Sequence, residues 1–226
     1  MKTAFNNDPA HRQLWIEKGE QHKALDMIRG DIGYRVEIDG KFFGCTAGCY
    51  ADHDFNGWDY HGNAADAAVL PRRLFLVMDP IFEGLYRKSK KDGQNWHVTW
   101  LSSIPCGMPF DSLESICDKL ILKATLFKAE CHGAPHNRFL LQVASFYLRR
   151  IAGNEPSNDE WEDVSIAARA PIDARAAIDA RAARAAMGAI VAIVAIAARA
   201  ADFYQSMANE YLQQLSNPQL NDAGVK

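Results

Sequence analysis

The chain has 226 residues, 48% of them hydrophobic and 23% charged, with a formal net charge of -3. That composition belongs to a folded globular protein and excludes a disordered tail, and the length fits one core carrying an appendage. No run of Lys or Arg is long enough to form a basic stripe, so nucleic acid is not an expected partner.

Asp8-Pro9 sets an N-cap acid before a proline at the first helical position, predicting a helix through Trp15, Leu25 and Ile28 that stops at Gly30. Alternation from Tyr34 to Ile38, the Asp39-Gly40 pair and Lys41-Phe42-Phe43 predict a β-hairpin over 34–43, because Asp-Gly accepts the positive backbone angles of a tight turn. Gly44, Ala47, Gly48 and Ala51 then recur at helical spacing and predict a short, closely approached helix. An Asp-, Asn- and Gly-rich loop follows to Gly62. Helices are expected over 63–70, 72–86, 94–103, 111–129 and 137–152, with Asp79-Pro80 offering a second start inside 72–86. The basic cluster Arg87-Lys88-Ser89-Lys90-Lys91 reads as a solvated loop between two of them.

Ser157-Asn158-Asp159-Glu160 has the pattern of a capping box and marks a boundary. Beyond it Ile166, Ile172 and Ile178 each open a six-residue repeat. A hexapeptide β-helix would share that period, but alanine favours helix, with Pro171 and Gly188 as weak points. The apolar run 185–198 is shorter than the roughly 20 residues needed to cross a bilayer and reads as a buried helix. The expected fold is therefore mainly α: a helical bundle with one small N-terminal β-hairpin and a long alanine-rich C-terminal helix or helical hairpin. Its expected divisions are a globular part over 1–156, the alanine-rich segment over 157–216 and a polar tail over 217–226. Without a secretory-type apolar core at its start, and with five cysteines that cannot all pair with one another, the chain is expected to be cytoplasmic, with no membrane contact.

The sharpest chemical cluster is Gly44-Cys45-Thr46-Ala47-Gly48-Cys49-Tyr50-Ala51-Asp52-His53, followed by Asp54, Asp59 and His61. Cysteine and imidazole are preferred zinc ligands, and Cys45, Cys49, His53 and His61 meet the count for a tetrahedral site. A helix running through this span would hold Cys45 and His53 about 12 Å apart, so a shared metal needs the helix to end before His53. Two other readings stand beside zinc. Cys45 near a helix start is a candidate reactive thiol with His53 or His61 as its base, and both cysteines are candidate packing residues beside the glycines. Cys131, His132 and His136 form a second candidate set that could join the first. Trp96 and Trp100, with Leu101 and Ile104, look like the core face of a helix.

The order Gly-Cys-x-x-Gly-Cys-x-x-x-His at 44–53, then Ile81-Phe82-Glu83-Gly84-Leu85, Trp100-Leu101-Ser102-Ser103-Ile104-Pro105 and Asn154 to Trp161 before an alanine tract resembles an uncharacterised bacterial and phage or prophage protein family. The resemblance implies a phage or mobile-element context and no mechanism. No complete catalytic motif is present, so the catalytic residues and the class of any activity stay unassigned. Two readings of function follow. One is a protein–protein interaction protein that dimerises through its alanine-rich helices and engages a host or phage protein, as an inhibitor of a host defence system of the anti-CRISPR kind would. The alternative is a small metalloprotein or thiol-dependent hydrolase centred on the span from Cys45 to His61.

Overall fold

A computed structural model describes residues 1–30, 35–50, 60–131, 136–169 and 197–216. Helix α1, Pro9–Ala24, begins where the sequence places it, with the Asp8 carboxylate accepting from the Ala10 amide at 2.8 Å. It ends short of Gly30. The backbone after Ala24 is taken by the second strand instead: Gly44 N–H donates to Met27 at 3.1 Å and Arg29 N–H to Gly44 at 2.8 Å. Strands β1, Arg35–Ile38, and β2, Lys41–Gly44, pair antiparallel with Val36 opposite Phe43 and Ile38 opposite Lys41. The turn uses positive φ at both Asp39 (52°) and Gly40 (73°), as a two-residue hairpin requires.

Five helices follow in the first part of the chain: α2 (Thr46–Tyr50), α3 (Tyr60–Ala68), α4 (Arg72–Lys88), α5 (Lys90–Ser102) and α6 (Phe110–Cys131). Helix α4 runs unbroken through Pro80, so Asp79 does not cap a second helix. The expected basic loop at 87–91 is likewise absent. Only Ser89 separates α4 from α5, and its hydroxyl accepts from the Asp92 amide. The run is solvated as expected, its lysines staying exposed while Lys88 pairs with Asp202 at 3.1 Å and Lys90 with Asp26 at 2.7 Å.

Three further helices are α7 (His136–Ile151), α8 (Asn158–Arg169) and α9 (Ala197–Leu215). The capping box opens α8 as expected: Glu160 N–H donates to the Ser157 hydroxyl at 3.2 Å, and Ser157 N–H to the Glu160 carboxylate at 2.8 Å. The architecture is thus mainly α with one small antiparallel hairpin near the N-terminus. The hexad repeat beyond Arg169, Pro171, Gly188 and nearly all of the apolar run 185–198 lie outside the described residues. No described helix is long and apolar enough to cross a membrane.

The chain groups into two compact units, one of Met1–Ile116 with Ala198–Lys226 and the other of Cys117–Ala197. The boundary expected after residue 156 therefore falls inside the second unit, and α9 belongs to the first. In the first unit the core is aromatic. Trp100 meets Phe75 edge-on at 5.1 Å and Tyr50 at 6.0 Å, so the expected core role of Trp96 and Trp100 is realised, both being buried. Helix α9 joins this core through Tyr211, whose hydroxyl donates to the Trp100 carbonyl at 3.1 Å, and through Tyr204, which lies against Gly84. In the second unit Trp161 of α8 packs edge-on against Phe146 of α7 at 4.7 Å, and Arg150 reaches Asp118 at 3.2 Å.

Candidate functional site around Asp79

Helix α2 is the short helix predicted from the small-residue spacing, and every residue from Cys45 to Tyr50 is buried. Four side chains of this stretch, those of Cys45, Thr46, Cys49 and Tyr50, have defined partners. The Tyr50 ring stacks on His97 with centroids 4.4 Å apart and planes 8° from parallel, and its hydroxyl donates to the His97 carbonyl at 2.9 Å. The Thr46 hydroxyl bonds His97 Nδ1 at 3.2 Å. Cys49 turns its sulfur to the Gly44 carbonyl at 3.5 Å and the Met27 carbonyl at 3.7 Å.

Cys45 points elsewhere, to a carboxylate that sequence reading passed over as a helix cap. Its Sγ donates to Asp79 Oδ2 at 3.2 Å, and the Ala47 amide donates to Oδ1 at 3.4 Å. From α3, His61 Nε2 reaches the same Oδ2 at 2.9 Å. Asp79 is 5% exposed, so this carboxylate is held by donors from α2 and α3 in place of water. The fold thus brings two of the four proposed ligands, Cys45 and His61, to one oxygen atom. Cys49 stays on backbone carbonyls, and His53 lies outside the described residues. Of the second set, Cys131 closes α6 and His136 opens α7, while their side chains and the whole of His132 lie outside the described part.

Electrostatics decide what this cluster can do. Burial, and then the charge of Asp79, push the Cys45 thiol well above its ordinary range, and the same two causes push Cys49 up to about 12. Both sulfurs are thiols at neutral pH. A thiol nucleophile is activated by a neighbouring base or by a lowered pKa; here the group bonded to Cys45 Sγ is the Asp79 carboxylate, whose negative charge favours the protonated thiol. Glu83, one turn beyond Asp79 on α4, is pushed up to about 7 by burial and then by the charge of Asp79. Among the described residues no group of three or more His, Cys, Asp or Glu side chains is placed to hold a metal ion, and Cys45, His61 and Asp79 are joined by hydrogen bonds.

Sequence reading missed Asp79, Glu83, His97 and Tyr50. The signal for Asp79 was its position: an acid inside the apolar stretch Leu74 to Leu85 must find a partner when that face is buried. Comparison with protein-family models, with curated proteins and with solved structures finds no match.

Proposed function

We propose that the chain is a protein–protein interaction protein of phage or prophage origin that engages a host or phage protein. One observation carries the reading. Helix α7 buries Leu140, Val143, Ala144, Phe146 and Tyr147, yet leaves Leu141 50% and Leu148 54% exposed. Seven residues are two helical turns, so these leucines share one outward line, with exposed Ser145 between them. Exposed apolar pairs on an ordered helix recover hydrophobic energy, about 25 cal/mol per Å², only when a partner covers them. The buried, protonated state of Cys45 and Cys49 supports the same reading, because it leaves neither as an available nucleophile.

Antagonism of a host defence system, and dimerisation through the alanine-rich tract, are the specific forms of this proposal. Pull-down from a bacterial lysate, with size-exclusion chromatography and light scattering, tests it. The Leu141→Lys/Leu148→Lys protein should lose the captured partner while melting within about 1 kcal/mol of the parent, as surface changes do. A partnerless monomer in both proteins would remove the basis of the proposal.

A further inference from the structure

The segment ahead of α1 lies on the rest of the first unit like a bound peptide, and the turn that joins it to α1 is strained. We propose that residues 1–5 form an arm that exchanges between two copies of this chain, each arm docking on the other copy to make a homodimer. This contact is separate from the exposed leucines of α7 and from the alanine-rich tract.

The arm is held by contacts that a second copy can reproduce one for one. Thr3 is extended (φ -130°, ψ 151°) and forms an antiparallel bridge with Pro109. On either side of that bridge Ala4 N–H donates to the Met108 carbonyl at 2.8 Å and Phe110 N–H to the Lys2 carbonyl at 3.1 Å. Gly107 N–H reaches the Ala4 carbonyl at 3.1 Å, and Phe5 N–H the Val69 carbonyl at 3.0 Å. The side chains of Ala4 and Phe5 are fully buried. Backbone pairing with a buried apolar anchor is how extended peptides are held on a protein surface.

Strain is confined to the connection. Phe5, Asn6 and Asn7 have φ of 56°, 52° and 57°, three left-handed residues in succession with no glycine among them. L-residues avoid such a run because each β-carbon crowds the following carbonyl oxygen, and even asparagine adopts this conformation mainly as a single residue. The turn exists only because the chain must double back from the docked arm to Pro9, where α1 begins. With the arm on a second copy, Phe5 keeps its place in the arm while Asn6 and Asn7 run extended. The turn's Asp8 N–H to Phe5 bond, at 2.9 Å, is given up, but Asp8 is exposed and water replaces the acceptor. Exchange thus keeps the arm's contacts and releases the strain, and a short strained hinge is the feature that favours swapped dimers at high concentration.

The test is cross-linking between chains in a Cys106→Ser background, which removes the partly exposed thiol. Thr3 and Pro109 stand as a non-hydrogen-bonded antiparallel pair, whose α-carbon spacing of about 4.5 Å suits a disulfide. A chain carrying both Thr3→Cys and Pro109→Cys should form the bond within itself when oxidised dilute. Chains carrying one change each, mixed at high concentration and then oxidised, should give a covalent dimer whose 3–109 link is identified by peptide mass spectrometry. Light scattering from micromolar to millimolar concentration should show the parent in reversible monomer–dimer equilibrium. Asn7→Pro, whose fixed negative φ forbids the closed turn, should tighten the dimer at least about tenfold. Asn6→Gly/Asn7→Gly, which relieves the turn, should weaken it at least about tenfold. Circular dichroism checks folding, and should Asn7→Pro not fold, the cross-link and the glycine variant carry the test. Failure of the bond within the doubly substituted chain would remove the docked arm itself. A bond there with none between mixed chains, or a dimer indifferent to the hinge variants, would overturn the exchange. A dimer held by the alanine-rich tract gives that last result, so the two contacts fail separately.

Discussion

Cys45 and Asp79, 34 residues apart in sequence, are joined by a thiol-to-carboxylate hydrogen bond of 3.2 Å that ties the start of α2 to the middle of α4. A sulfur so placed is shielded twice, by burial and by the negative charge next to it. Alkylation near neutral pH should therefore label Cys106, which is partly exposed, before Cys45, Cys49 or Cys117, which are buried. Peptide mass spectrometry over a time course reads the order, and fast labelling of Cys45 would refute the shielding.

Asp79→Ala should destabilise the first unit by about 2–4 kcal/mol, because it strips the buried Cys45 thiol and the Ala47 amide of their acceptor. Urea denaturation measures this. A loss below about 0.5 kcal/mol, the level of an ordinary surface change, would mean that the carboxylate is not the hub of the cluster.

Gly84 lets α9 approach α4. A β-carbon built there would stand 1.9 Å from the Tyr204 ring, so either the ring or the helix must move. Gly84→Ala should cost about 1–3 kcal/mol despite its gain in helix propensity. Gly40→Ala, where no atom lies within 4 Å but φ is +73°, should cost less and only through backbone strain.

His97 is fully buried, and its burial first, then the charges of His22 and Lys23, hold its pKa well below the usual imidazole value. A histidine with a depressed folded pKa binds its proton more readily when unfolded. The stability it permits is complete above about pH 6.5 and falls as pH drops, by up to about 1.4 kcal/mol per pH unit. In His97→Gln this component should vanish. The gap between parent and variant should shrink as urea unfolding is moved from pH 7.5 to pH 5, and a constant gap would contradict a neutral, buried His97.

Much of the fold was legible because its local signals are strong: Asp8-Pro9 for α1, Asp39-Gly40 for the hairpin turn, and Ser157 to Glu160 for α8 each name a backbone geometry that few other residues satisfy. The end of α1 was not legible, since it depends on Met27 and Arg29 pairing with Gly44, a contact across the chain. The basic run at 87–91 is solvated as its charge suggests, but it is no loop, because Ser89 caps α5 directly after α4 ends. In the candidate site, Cys45 and His61 stood out by residue type, whereas Asp79 looked like a helix cap beside Pro80. Its partners come from α2 and α3, and only tertiary packing reveals that its carboxylate turns toward them.

The central claim is that Cys45 and Asp79 act together within one buried cluster, and a double-mutant cycle tests it most directly. Unfolding free energies of the parent, Cys45→Ala, Asp79→Asn and the double variant, measured in urea with metal excluded, give the coupling between the two sites. The account predicts a coupling of about 0.5–2 kcal/mol, the double variant losing less than the sum of the two single losses. Additivity within about 0.3 kcal/mol would contradict it, since independent residues add in that way.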